Sequence, residues 1–176
     1  YGPHVFGDLG TRYFLRDALG IAAGFHEYAR QSDLIVAAFY AQTVNVIGAI
    51  KTDRTRAALE TTGWALAMYR EHFLGAPLAT QCDRWMEAQA LRSPDGAAVR
   101  LSVINPWAEP IRVPLEWRNG APSAPGRGWR LAGPHPRAFN DPQHPDVVTV
   151  EELRELSPHA LELPPHSATI VELPLR

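Results

Sequence analysis

The chain has 176 residues, and its 17 basic and 19 acidic side chains give a net charge of −2. Hydrophobic residues make up 45% of the composition and charged residues 20%, which is ordinary for a globular protein and excludes disorder of the whole chain. The balanced charge excludes a strongly basic surface, and the single cysteine, Cys82, excludes an internal disulfide and a zinc site of several cysteines. We therefore expect no nucleic acid and no membrane as partners, and a reducing compartment, the cytoplasm.

Proline divides the chain into two parts. Pro3 lies in residues 1–76, and the other 15 of the 16 prolines lie in residues 77–176. Helix interiors exclude proline, whereas turns and edge strands accept it. The distribution predicts a helical domain over residues 1–76 and a β domain over residues 77–176.

The first part reads as helix, strand, helix, helix. Apolar residues at steps of three and four predict an amphipathic helix over residues 14–29, with Asp17 in its first turn. Residues 34–40 are a continuous apolar run, which predicts a strand buried on both faces, as in parallel sheets. Helices are predicted over residues 44–50 and 62–73, and Gly75 and Pro77 end the second of these.

From residue 78 onward the pattern is that of short strands. Apolar and polar residues alternate over residues 99–104 and 111–117, and turn residues separate these runs. Further strands are predicted over residues 82–91, 128–131, 146–150, 160–163 and 168–173. About seven short strands with frequent turns predict an antiparallel β-sandwich.

One polar side chain is a candidate binding group. Gln42 follows the predicted strand directly, and a side chain at the C-terminal end of a buried parallel strand points to where such folds bind ligands. Two structural roles, capping of the next helix or a buried hydrogen bond, explain the same position. The sequence pattern does not separate these alternatives from ligand binding.

The other chemically interesting residues favour structural roles. The acidic residues of the first part are interpreted as solvated helix charges, and Glu151, Glu152 and Glu155 as a solvated acidic run. His135 and His144 have no compact zinc spacing, so no metal site and no cofactor is expected. His26 and His72 are expected to be satisfied packing or surface residues, and Cys82 is expected to be a small buried hydrophobe. Five tryptophans leave a sugar-stacking platform open beside ordinary core packing: Trp64, Trp85, Trp107, Trp117 and Trp129.

Several segments together resemble one enzyme family. The stretch Ala41-Gln42-Thr43-Val44-Asn45-Val46-Ile47, followed by Ile50-Lys51-Thr52, resembles the segment around barrel strand 8 of the family-51 glycoside hydrolases, the α-L-arabinofuranosidases. Arg16-Asp17-Ala18-Leu19 resembles the helix before that strand, and residues 138–141, 145–148 and 163–173 resemble the family's later turn and strands. The order and spacing of these motifs over nearly the whole chain make the resemblance specific.

The resemblance implies a fold and an activity. The fold would be the terminal helix–strand–helix piece of a (β/α)8 barrel followed by the antiparallel β-sandwich. The activity would be retaining hydrolysis that releases terminal arabinofuranosyl residues from arabinan or arabinoxylan oligosaccharides. The family's two catalytic glutamates are an acid/base after strand 4 and a nucleophile on strand 7, and no residue of this chain matches either one, so the chain alone should be inactive. Gln42 matches a glutamine that hydrogen-bonds the bound arabinose, and the family implies a homo-oligomer.

Two departures from the family pattern affect the site and the next helix. Phe39 stands where the family usually has asparagine, which alters the polar rim, and Thr61-Thr62 replaces a proline that opens the last helix. Threonine can cap a helix, so the helix start is expected to survive. A non-catalytic β-sandwich module for binding or assembly is the alternative function.

Overall fold

The computed structural model describes residues 10–83, 86–118 and 120–175. Within them lie two helices, α1 (Leu15–Arg30) and α2 (Thr61–His72), and ten strands. The strands are β1 (Ile50–Thr52), β2 (Ala57–Leu59), β3 (Ala76–Leu78), β4 (Glu87–Arg92), β5 (Ala98–Asn105), β6 (Ile111–Pro114), β7 (Gly126–Ala132), β8 (Thr149–Leu156), β9 (Ala160–Leu163) and β10 (Ser167–Pro174). In the described ranges, neither helix is long and apolar enough to cross a membrane.

A six-stranded antiparallel sheet organises the molecule. Its strand order is β3-β4-β5-β10-β7-β8, and the last strand, β10, lies in the middle between β5 and β7. Pro77 lies on β3, an edge strand, where a missing N–H disrupts no second ladder. Strands β6 and β9 form a separate two-stranded sheet, and β1 and β2 form a hairpin.

The large sheet separates two apolar cores, because alternate residues of a strand point to opposite faces. On one face, Ile170 of β10 packs with residues of α1 and α2, including Leu15 and Met68. On the other face, Leu173 of the same strand packs with Leu163 of β9. The molecule is therefore layered as helices, six-stranded sheet and two-stranded sheet.

The two helices form where the periodicity predicts them. The buried face of α1 consists of Leu15, Ala18, Leu19, Ala22 and His26, at steps of three and four. The carboxylate of Asp17 accepts a hydrogen bond from the backbone N–H of Phe14 at 2.8 Å, as a first-turn acid should. Helix α2 is capped by Glu60, whose side chain accepts from the Thr62 N–H. The expectation of a threonine cap was wrong by one position.

Most predicted β elements agree with the structure, but the strand predicted over residues 146–150 begins only at Thr149 and continues to Leu156, and the strand predicted over residues 111–117 ends at Pro114. Strands over residues 99–104, 111–117, 128–131, 160–163 and 168–173 correspond to β5, β6, β7, β9 and β10. The mixed α and β class and the antiparallel sandwich are confirmed. The predicted strand over residues 82–91 starts later, at Glu87, and residues 84 and 85 lie outside the described part.

Two predicted elements of the first part are wrong. Residues 34–40 form no strand in the described structure: Leu34 still belongs to the turn that ends α1, and the segment is mostly exposed, with no strand beside either edge there. Residues 44–50 form a turn with a bridge between Val44 and Ile50 instead of a helix, and β1 then starts the unpredicted β1–β2 hairpin. Here the chain reverses within a few residues, which leaves no room for a helix.

Candidate functional site

The segment between α1 and β1 carries the candidate binding residue. It begins with the apolar run 34–40, in which Val36 is 95% exposed and Phe39 is 92% exposed. The hydroxyl of Tyr40 at the end of the run lies 3.1 Å from the Thr62 hydroxyl of α2. The run is therefore attached to the helical layer at one point and is otherwise open to solvent.

Gln42 lies just beyond that attachment point. Its side chain is exposed and makes no hydrogen bond with any residue of the described ranges. No helix follows it there, so neither the capping role nor the buried hydrogen bond is observed. The geometry leaves its amide free to meet a polar ligand, and the substrate role stays a prediction.

The turn after Gln42 is fixed by a pair of hydrogen bonds from one asparagine. The side-chain oxygen of Asn45 accepts from the Thr52 N–H at 2.8 Å, and its side-chain nitrogen donates to the Thr52 carbonyl at 3.2 Å. We call this the Asn45–Thr52 pair. It joins the turn to strand β1.

Lys51 also stabilises this turn. The side chain is 3% exposed, and its Nζ donates to the carbonyl oxygen of Val46 at 3.1 Å. Burial lowers the pKa of this amine, and the carboxylate of Glu60 partly opposes that shift. Lys51 is the only lysine among 17 basic residues, which is the sequence signal that could have singled it out.

Glu60 links three segments beneath the turn. One carboxylate oxygen accepts from the Tyr13 N–H at 2.8 Å, and the other accepts from the N–H and hydroxyl of Thr62 at 3.1 and 3.0 Å. Burial raises the pKa of Glu60, and these hydrogen bonds together with Lys51 oppose the rise. The interpretation of Glu60 as a solvated helix charge was wrong, because the residue is 1% exposed.

Of the other carboxylates, Asp53 differs from its expected role as a solvated helix charge, whereas the acidic run is solvated as expected. Asp53 turns the β1–β2 hairpin by accepting from the N–H groups of Thr55 and Arg56, and these bonds lower its pKa. The acidic run is exposed on β8, in the residues Glu151, Glu152 and Glu155.

His26 holds a buried polar contact between the helices and the sheet. It is fully buried, with Nδ1 3.1 Å from the Glu87 carboxylate and Nε2 3.1 Å from the Tyr69 hydroxyl. Tyr69 in turn lies 2.6 Å from the Ser102 hydroxyl. Burial lowers the pKa of His26 to about 4, and the hydrogen bond to Glu87 opposes the shift. The packing role expected for His26 is confirmed, and His72 likewise stacks on Trp129.

Both loop histidines have local hydrogen-bond or ion-pair partners. His135 Nδ1 accepts from the backbone N–H of Arg137, and His144 Nδ1 lies 3.3 Å from the Asp141 carboxylate. They line an open depression of about 120 Å³ together with Phe139 and Val147. Over the described ranges, no group of three metal-ligating side chains comes together.

The tryptophans are dispersed. Trp129 stacks on His72 at 3.7 Å between ring centroids on the helix side of the sheet, whereas Trp117 packs on the opposite side and donates to the Pro158 carbonyl. Trp107 is 45% exposed, and Trp85 lies outside the described residues. Two of the rings are thus on opposite faces, which argues against a single stacking platform. Cys82 is exposed, so its prediction as a buried hydrophobe was wrong.

Comparison with known proteins gives one family. The model of the α-L-arabinofuranosidase C-terminal domain matches residues 5–167. No curated protein sequence matches the chain. Among solved structures, the α-L-arabinofuranosidase of Thermotoga maritima in its arabinose complex is 23% identical, with a TM-score of 0.82, and the match covers 95% of this chain and 40% of that one.

Two further solved structures agree in fold. The family-51 arabinofuranosidase of Xanthomonas axonopodis pv. citri is 23% identical, with a TM-score of 0.73 and coverage of 94% of this chain and 36% of that one. The enzyme of Thermotoga petrophila is 22% identical, with a TM-score of 0.79 and coverage of 94% and 39%. At these identities the likeness shows the fold alone. The chain spans well under half the length of these proteins.

Proposed function

We propose a function from the premise that this chain belongs to the α-L-arabinofuranosidase C-terminal domain family, as the C-terminal part of a family-51 glycoside hydrolase. The complete protein would be a retaining α-L-arabinofuranosidase that releases terminal arabinofuranosyl residues from arabinan or arabinoxylan oligosaccharides. The chain would supply the sandwich and the last piece of the barrel, with the division near residue 76. Both catalytic glutamates would come from the preceding part of the enzyme.

The observation that carries this proposal is the exposed apolar run between α1 and Gln42. Its residues have the composition of a strand buried on both faces, and yet Leu34 is 74% exposed and Val36 is 95% exposed. Residues 36–40 make no backbone hydrogen bond in the described structure, and an apolar segment with unpaired backbone groups pairs readily with another strand. A neighbouring barrel strand would supply hydrogen bonds to the run and cover its side chains.

Gln42 would then lie at the end of the completed strand, among the groups that meet the sugar. Its free amide has two donors and one acceptor oxygen, which suit a sugar hydroxyl. The exposure of Gln42 supports this role, because its amide is not engaged by the described part of the chain. Phe39, three residues earlier, would present an apolar edge where the family usually has a polar one.

The test uses the protein expressed from the complete reading frame that contains this chain. Gln42→Ala should lower kcat/KM for a chromogenic α-L-arabinofuranoside by roughly 5- to 150-fold, equivalent to about 1–3 kcal/mol. The matched control is Gln143→Ala, which removes another exposed glutamine side chain from the loop between β7 and β8. The control should retain the parental kcat/KM.

The 176-residue chain alone should hydrolyse no arabinofuranoside, because general acid–base and nucleophilic catalysis supply much of the rate enhancement. If the chain alone hydrolysed the substrate, and a substitution within the chain abolished that activity, the assignment of both catalytic glutamates to the preceding part of the enzyme would be contradicted. A complete reading frame without two strand-end glutamates would instead favour a non-catalytic sandwich module. Assembly as a homo-oligomer and a cytoplasmic location belong to the same proposal and are tested by the mass in solution and by cell fractionation.

A further inference from the structure

The turn that follows Gln42 has an unusual backbone. Asn45 and Val46 both adopt left-handed conformations, with φ of +50° and +47°. Asparagine tolerates this region, but a β-branched residue such as valine is a true outlier there. Such a conformation persists only where its surroundings enforce it, and it is found most often at functional sites.

Three contacts enforce the turn. The Asn45–Thr52 pair holds its first left-handed residue to β1. The carbonyl oxygen of Val46 accepts two hydrogen bonds, from the Thr11 N–H at 2.6 Å and from Lys51 Nζ at 3.1 Å. A Cβ at Gly48 would lie 2.7 Å from the carbonyl carbon of Thr43, so the two arms of the turn touch.

Burying the Lys51 amine to donate one hydrogen bond to a carbonyl oxygen is unfavourable in free energy. The amine is almost completely buried, and a buried charge requires compensation by opposite charge and hydrogen bonds. Glu60, whose carboxylate is itself buried, supplies the charge of opposite sign. If the exact backbone path of this turn had no consequence, a water molecule or a neutral donor would satisfy the Val46 carbonyl at a smaller cost in free energy.

We propose that Asn45 and Lys51 are positioning residues for Gln42: they hold the strained turn at residues 43–48 and thereby fix the direction of the Gln42 amide. This inference rests on the proposed function of Gln42. It assigns a purpose to the left-handed Val46, in a turn that backbone hydrogen bonds between Asn45 and Ile50 also close. The two residues need not touch the sugar, since they act through the backbone that carries Gln42.

The test is a double-mutant cycle in the protein expressed from the complete reading frame. Asn45→Gly removes the Asn45–Thr52 pair and still permits a left-handed residue, and Lys51→Met removes the Nζ donor at nearly constant length. Each should lower kcat/KM for the chromogenic arabinofuranoside by about 10- to 100-fold, the effect of a misplaced binding group. In the Gln42→Ala background, each should change kcat/KM by less than about twofold, because the group that they position is gone.

Asn140→Ala is the matched control. Asn140 makes the same two bonds, from the Val148 N–H and to the Val148 carbonyl, both at 2.8 Å, in the loop before β8. It should lower the unfolding midpoint without lowering kcat/KM of the folded enzyme.

The outcomes separate the two proposals. Positioning is overturned if a folded Asn45→Gly or Lys51→Met enzyme keeps the parental kcat/KM, or if its loss is equally large with Gln42→Ala. The proposed function of Gln42 is retained in both cases. If Gln42→Ala alone changes nothing, the site assignment fails and positioning fails with it. Lys51→Met removes a buried charge. If that variant does not fold, Asn45→Gly alone tests the positioning proposal.

Discussion

The six-stranded sheet and the segment after α1 contain similar apolar residues in opposite environments. Leu173 and Ile170 of β10 are fully buried, between elements that all belong to this chain. Val36 and Phe39 are more than 90% exposed. The sheet thus has its core covered by the chain itself, whereas the apolar side chains at 34–40 are covered by no described element. The difference teaches that an apolar sequence pattern indicates a side chain suited to a buried position. Such a side chain is buried only where neighbouring elements are present to cover it.

The largest expected effect is the difference in stability loss between alanine substitutions at Leu173 and at Leu34. Leu173→Ala should destabilise the chain by about 2–5 kcal/mol, because it leaves a cavity between the two sheets. Leu34→Ala should change the free energy of unfolding by less than about 0.5 kcal/mol, as is usual for surface substitutions. Urea denaturation of both variants measures the contrast. Equal losses would mean that residues 34–40 are packed in solution.

A second prediction concerns the buried contact between the helices and the sheet. The pKa of His26 is lowered to about 4, so the folded chain keeps the ring neutral while the unfolded chain takes up a proton near pH 6.5. The stability of the neutral form is therefore fully present above pH 6.5 and is lost as the pH falls toward 4. Between pH 7.5 and 5 the loss from this residue should be about 2 kcal/mol.

The measurement is urea denaturation at both pH values for the parent and for His26→Gln. The variant should lose less stability on acidification, and titrating carboxylates cancel in the difference. His159→Gln, which removes an exposed histidine, is the control for the substitution itself. An unchanged slope in His26→Gln would mean that the ring takes up its proton at the same pH in the folded and in the unfolded chain.

The smallest expected effect is on self-association. Phe39 is 92% exposed on a segment with free backbone edges, and such segments pair with other chains. Phe39→Ser should lower the associated fraction of the isolated 176-residue chain in sedimentation velocity, with no change in its unfolding midpoint. Ser123→Ala, on the opposite part of the chain, is the control. An equal associated fraction in parent and Phe39→Ser would place the association surface elsewhere.

Local pattern was enough to predict both helices and strands β4, β5, β7 and β10 of the large sheet, whereas β3 was not predicted and β8 was predicted too early. The alternation in β5 and β10 and the 3.6-residue period of α1 each report a face that this chain buries by itself. The apolar run at 34–40 misled the same reasoning, because its pattern matches a buried strand whose partners the described chain lacks. The helix expected at 44–50 failed because Asn45 and Val46 take left-handed conformations, which no periodicity encodes.

The candidate site was only partly accessible from sequence. Gln42 was found by its position after an apolar run, a local signal. Glu60 and Lys51 were missed, since their burial arises from contacts between the α1 entry, the hairpin and α2 that sequence spacing does not specify. The single lysine among 16 arginines was the one clue to Lys51, and composition bias explains it equally well.

The central claim is that residues 34–40 form a strand only when a neighbouring barrel strand is present. Hydrogen exchange at residues 36–40 tests this claim most directly. In the isolated 176-residue chain, these amides should exchange at nearly the unprotected rate while those of β5 and β10 exchange slowly. In the protein expressed from the complete reading frame, the same amides should become protected to the level of the sheet. Protection of residues 36–40 in the isolated monomer, or fast exchange in the complete protein, would contradict the account.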